Sequence, residues 1–262
     1  MEEESNEETR IDPSKINLRH ITEPKCPVVL LLDTSYSMEG KKIDSLKEGI
    51  SLLVENLNKD DIAKKRVELC AITFGGGVKV VHDFSSVSDF GEISLKAEGH
   101  TPMGQAIITG ISKIDERKSQ YKKFGVDYYR PWIWMITDGD PTDMGPRDGG
   151  YVESVNDSGS GKPVKNEDIS PSFFELWESV VSKVHEGENG RKFVFFAIGV
   201  DDADMDTLSQ ISVRAPVRLK GVDFKGMFTW LSRSLSSQSR SVTNDQISLG
   251  SPDEWGTIEP SK

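Results

Sequence analysis

The sequence predicts a doubly wound α/β domain, and three observations carry that prediction. Continuous apolar runs of strand length recur along the chain, as expected for strands covered on both faces. Amphipathic stretches at helical spacing alternate with them. The connections between them carry Gly, Pro, Asp and Ser, the residues of turns. Strand–helix alternation of this kind builds a mostly parallel sheet with helices on both faces.

In order, Val28 to Leu32 is the first apolar run, and Ile43, Leu46, Ile50, Leu53 and Leu57 mark a helix after it. VELCAITF (67–74) and VKVVHDF (78–84) are joined by three glycines and read as a hairpin, which supplies one antiparallel edge strand. Met103 to Ser119 carries Ile107, Gly110, Ile111 and Ile114 on one helical face. WIWMIT (132–137) is the next buried strand. Phe173, Trp177, Val181 and Val184 mark a helix, and FVFFAIGV (193–200) is the strand after it. A short strand over Val217 to Leu219 and a helix carrying Phe224, Phe228, Leu231 and Leu235 complete a six-stranded sheet. Residues 1–24 read as an acidic arm, 25–237 as the domain and 238–262 as an irregular tail that Trp255 and Ile247 could dock. Residues 140–170 have no periodicity, and connections that long are commonly either functional or mobile.

Composition narrows the function classes. A chain of 262 residues with net charge −11 repels phosphate backbones, so no nucleic-acid partner is expected. No apolar run reaches the ~18 residues of a membrane span, so no membrane partner is expected either. The opening MEEESNEETR is unlike a secretory leader, and Cys26 and Cys70 form no disulfide framework, which together suggest a cytoplasmic protein.

Ligands of doubly wound sheets lie beyond the carboxyl ends of the strands. The first strand ends in Asp33, Ser35 and Ser37; WIWMIT runs into Asp138; and GHTPMG puts Thr101 at the start of a helix. Each has a plain alternative, because Thr101 and the two serines could cap helices and Asp138-Gly139 could be a simple turn. If they converge, two carboxylates and three hydroxyls form an all-oxygen set suited to Mg²⁺ or Mn²⁺ and poor for Zn²⁺. The histidines His20, His82, His100 and His185 are scattered, though His100, Asp140 and Asp143 lie close enough in sequence to support such a site from behind.

Asp33-x-Ser35-x-Ser37, Thr101 and Asp138, in that order, resemble the metal-ion-dependent adhesion site of von Willebrand factor type A domains, over about residues 26 to 237. DTSYSM, GHTPMGQAI and TDGDPTD are most similar to an intracellular bacterial branch associated with tellurium resistance and stress response. The resemblance implies a non-enzymatic module that holds Mg²⁺ or Mn²⁺ and engages a protein partner's Asp or Glu carboxylate. It also implies a kinase and a phosphatase as neighbours, and coupling of the site to the last helix. The competing expectation is a haloacid-dehalogenase-like phosphohydrolase with Asp33 as nucleophile, but that chemistry needs an acid two positions on, where Ser35 stands.

Overall fold

A computed structural model describes residues 17–147, 151–156, 163–165, 170–243 and 249–259. The elements run β1 (Cys26–Asp33), α1 (Lys41–Asn58), α2 (Ala63–Arg66), β2 (Val67–Phe74), β3 (Val78–Ser86), α3 (Met103–Phe124) and β4 (Trp132–Thr137). They continue with β5 (Tyr151–Asn156), β6 (Pro163–Lys165), α4 (Pro171–Asn189), β7 (Val194–Gly199), α5 (Met205–Ile211), β8 (Val217–Leu219), α6 (Phe224–Arg240) and β9 (Gly256–Ile258). The main sheet has the order β3-β2-β1-β4-β7-β8-β9. Its five inner strands are parallel, and β3 and β9 run antiparallel at the two edges.

The doubly wound fold is as expected, with one addition. The sheet has seven strands instead of six and two antiparallel edges instead of one. The extra strand lies in the tail read as irregular. Trp255 drives the return: it is 1% exposed, and its ring lies 5.7 Å from Trp230 and 6.4 Å from Trp134. Burying an indole of this size dominates local energetics, so the three residues after it fall into register with β8. Ile247, the other proposed anchor, lies outside the described residues, as does the acidic start of the arm. Leu18, by contrast, is buried against Tyr121 and Val126. Within 140–170, β5 and β6 pair as a small antiparallel sheet, where the sequence showed no period.

Every residue of β1, β2 and β4 is buried, which explains their unbroken apolar runs. Val28, Leu30 and Leu32 face the layer of α1 and α6, while Val29 and Leu31 face that of α3, α4 and α5. Both layers are apolar, so a slip of one residue would not expose these side chains. It would force each into a layer packed around a different shape, a misfit of about 1–3 kcal/mol. The register is thereby pinned, with Asp33 opposite Phe74 of β2 and Leu32 opposite Ile136 of β4. The chain winds toward β2 from one side of β1 and toward β4 from the other. Asp33 therefore ends its strand at the switch point where such sheets open a crevice.

Candidate metal centre

Asp33 is fully buried, and both its oxygens are engaged. Oδ1 accepts the Ser35 backbone N–H at 2.8 Å, and Oδ2 accepts the Thr137 hydroxyl at 2.6 Å. Burial pushes the Asp33 carboxyl up to about 6; the bonds from Ser35 and Thr137 work against the rise, and the charge of Asp138 adds to it. Beyond Ser35 the chain makes one 3-10 turn over Tyr36–Met38, which turns Ser35 and Ser37 toward each other, Oγ to Oγ 2.9 Å. Ser37 then donates to Asp138 Oδ1 at 2.7 Å. Asp138 follows the end of β4, and its side chain is wholly buried. Its Oδ2 accepts Lys42 Nζ at 2.5 Å, and the same ammonium lies 3.4 Å from Asp201, in the loop after β7.

Thr101 arrives from the far side. A Cβ placed on Gly139 would sit 3.4 Å from Thr101 Oγ1 and 3.7 Å from Ser37 Oγ, so these two hydroxyls flank the same glycine. The loop after β4 holds Thr101 in place. Thr101 N donates to Thr142 Oγ1 at 3.1 Å, and Thr142 N donates back to Thr101 O at 2.9 Å. Asp143 accepts from Gly104 N and Gln105 N at 2.9 and 2.8 Å, closing the exposed start of α3. Glycines then let the loops meet backbone to backbone. A Cβ on Gly75 would lie 2.1 Å from Thr34 O, and one on Gly99, at φ +66, would lie 2.2 Å from Gly76 Cα. Glu98 N donates to Thr34 O, Tyr36 N to Gly99 O and Gly76 N to His100 O, stitching the serine loop, the hairpin and the threonine loop together.

The structure thus gathers Asp33, Ser35, Ser37, Thr101 and Asp138 at one end of the sheet. Helix capping, the alternative for the hydroxyls, is not what they do. The turn after Ser35 and the start of α1 at Gly40 have no side-chain cap, and α3 is closed by Asp143. Of the three flanking candidates, Asp143 is committed to α3, His100 is exposed with its carbonyl bonded to Gly76, and Asp140 is exposed on the rim. Lys42, Thr137, Thr142 and Asp201 were not anticipated. Thr137, directly before Asp138, was the one that strand alternation could have shown.

Among the described residues, no three His, Cys, Asp or Glu side chains come together as a metal cluster. A cation here would rest on two carboxylates supplemented by hydroxyls. The donor chemistry fits that role for a hard divalent ion, because every contributing atom is oxygen. No helix among the described residues is long and apolar enough to cross a membrane.

No curated protein matches the chain. Solved structures share its fold at low identity. The pilus adhesin SpaC of Lactobacillus rhamnosus GG, in its open conformation, superposes with a TM-score of 0.60 at 13% identity, over 82% of this chain and 30% of SpaC. The PilB minor pilin of Streptococcus sanguinis gives 0.54 at 14%, over 82% of this chain and 62% of PilB. The vWF domain of the type V pili tip protein Mfa5 of Porphyromonas gingivalis gives 0.52 at 11%, over 86% of this chain and 99% of that one. The chain therefore spans about a third of SpaC and under two thirds of PilB, and these likenesses speak to the fold alone. The model of the von Willebrand factor type A domain matches residues 28–219, which is most of the chain and includes all five gathered residues. The chain belongs to the von Willebrand factor type A domain family.

Proposed function

We propose that this chain is a metal-dependent protein-binding module. Asp33, Ser35, Ser37, Thr101 and Asp138 hold Mg²⁺ or Mn²⁺, and a carboxylate from a protein partner completes the coordination. The observation that carries the reading is that three hydroxyls gather beside two buried carboxylates without capping any helix. Neutral hydroxyls donate weakly, which leaves the cation electrophilic toward an incoming acid. Tyr36, between the two serines, is 65% exposed and offers an aromatic contact at the rim.

The module binds and does not catalyse. Ser35 occupies the position where a phosphohydrolase would need its general acid, and its hydroxyl is bonded to Ser37. The cellular setting follows the resemblance of DTSYSM, GHTPMGQAI and TDGDPTD: a bacterial stress-response or tellurium-resistance system with kinase and phosphatase neighbours. A cytoplasmic location is supported by two free, buried cysteines, Cys26 and Cys70. Titration calorimetry with Mn²⁺ tests the reading directly. Wild type should bind and Asp33→Ala should not, with the fold retained; equal binding by the two refutes it.

A further inference from the structure

Lys42 neutralises one of the two carboxylates on which the proposed cation depends. Its ammonium is 2.5 Å from Asp138 Oδ2, and the Asp138 side chain has no exposure to water that could do the same work. An ammonium at that distance occupies an oxygen that a divalent ion would need. The same ammonium is already within 3.4 Å of a second acid, Asp201, whose side chain is 37% exposed. Lys42 itself is 25% exposed, on a flexible four-carbon stem.

Asp201 sits in a tight turn. Its φ is +48, in the left-handed region, which aspartate enters more readily than most residues other than glycine. The Arg218 guanidinium donates to its carbonyl at 2.6 Å and holds the turn. The turn leaves the Asp201 carboxylate facing the Lys42 ammonium.

We infer that Lys42 is a built-in competitor for the metal centre, and that Asp201 is the seat it moves to when a divalent ion takes Asp138. The inference rests on the metal-binding reading above. It assigns Lys42 and Asp201 as positioning residues that set how tightly the site holds a cation.

The pair gives opposite signs on substitution. Lys42→Met frees Asp138 and should tighten Mn²⁺ binding by roughly tenfold, in line with losing one charge-assisted contact. Asp201→Asn removes the alternative seat and should weaken binding by about threefold, since surface pairs are worth little each. Through-space attraction by Asp201 would also weaken binding, and the double variant separates the two causes. If Asp201 acts through Lys42, Asp201→Asn should change affinity by less than about twofold once Lys42 is already Met.

The experiment is calorimetric titration of Mn²⁺ alone into the full chain, the two single variants and the double variant. Each variant is first shown to unfold cooperatively in EDTA. A Lys42→Met variant that binds Mn²⁺ no tighter than wild type overturns the competitor role, even if its melting temperature falls. An Asp201→Asn loss of the same size in both backgrounds overturns the alternative seat. Failure of wild type and Lys42→Met alike to bind Mn²⁺ would instead remove the metal-binding reading itself.

Discussion

Replacing Asp33 by Asn should stabilise the metal-free protein at neutral pH while abolishing its response to metal. Burial raises the Asp33 carboxyl from 3.8 to about 6, so folding binds a proton at this position. Such a group contributes stability that is complete below 3.8 and is lost as pH rises through about 6. At about 1.36 kcal/mol per pH unit, ionised Asp33 costs the metal-free fold about 3 kcal/mol at pH 7.5. Asn removes the charge and keeps an oxygen for the Ser35 N–H, while the Thr137 hydroxyl can turn from donor to acceptor. Allowing for weaker hydrogen bonds, about 2 kcal/mol should remain, or about 4–8 °C in melting temperature for a chain of this size. The assay is thermal unfolding of both proteins in EDTA and in saturating Mn²⁺, at pH 5 and pH 7.5. In EDTA the variant should melt higher at pH 7.5, and the gap should shrink at pH 5. With Mn²⁺ at pH 7.5 the order should reverse, because only wild type gains by mass action. An Asp33→Asn variant less stable than wild type in EDTA at pH 7.5 refutes the burial argument. A metal response in wild type that is as large at pH 5 as at pH 7.5 refutes the link to Asp33.

Two further expectations concern the frame around the site. Gly75→Ala puts a Cβ 2.1 Å from the Thr34 carbonyl oxygen, so the serine loop must shift. A cost of about 2–3 kcal/mol in urea unfolding is expected, together with weaker Mn²⁺ binding, and wild-type stability would show that the loops are not in contact. Trp255→Ala empties the space beside Trp134 and Trp230 and should cost about 3–5 kcal/mol. Amide exchange over residues 249–259 should rise with it; unchanged protection there would mean that Trp255 does not hold β9.

The sequence made the fold legible where burial is two-sided. WIWMIT and the run from Val28 to Leu32 could only be inner strands, because each face of the sheet is covered by helices. The site was legible for a related reason: a strand end fixed by core register leaves little freedom to the residues just beyond it, as with Asp33 and Asp138. What stayed hidden depends on contacts distant in sequence. Asp143 closes α3 from 39 positions further on than Gly104, whereas a local reading assigns the cap to Thr101. Lys42 looks like any solvated lysine in the first turn of an amphipathic helix until Asp138 arrives from 96 positions away. β9 is three residues long, and the signal for it is the lone Trp255 ahead of it.

The two acids of the site are neutralised by different means, and this bears on how it would respond to a cation. Asp33 lies in the sheet interior and is supported by neutral donors, so its charge is discouraged by burial itself. Asp138 directly follows β4 and is matched by an ammonium that solvent can partly reach. A divalent ion would remove both arrangements at once, replacing a bound proton at low pH and a lysine at any pH. Acid and salt should therefore act on different partners. Lowering the pH below about 6 weakens the site through Asp33, whereas the Lys42 contact, being partly exposed, is the one that added salt screens. Each acid thus has its own control, because Asp33 ends a central strand and Asp138 opens a loop beside α1.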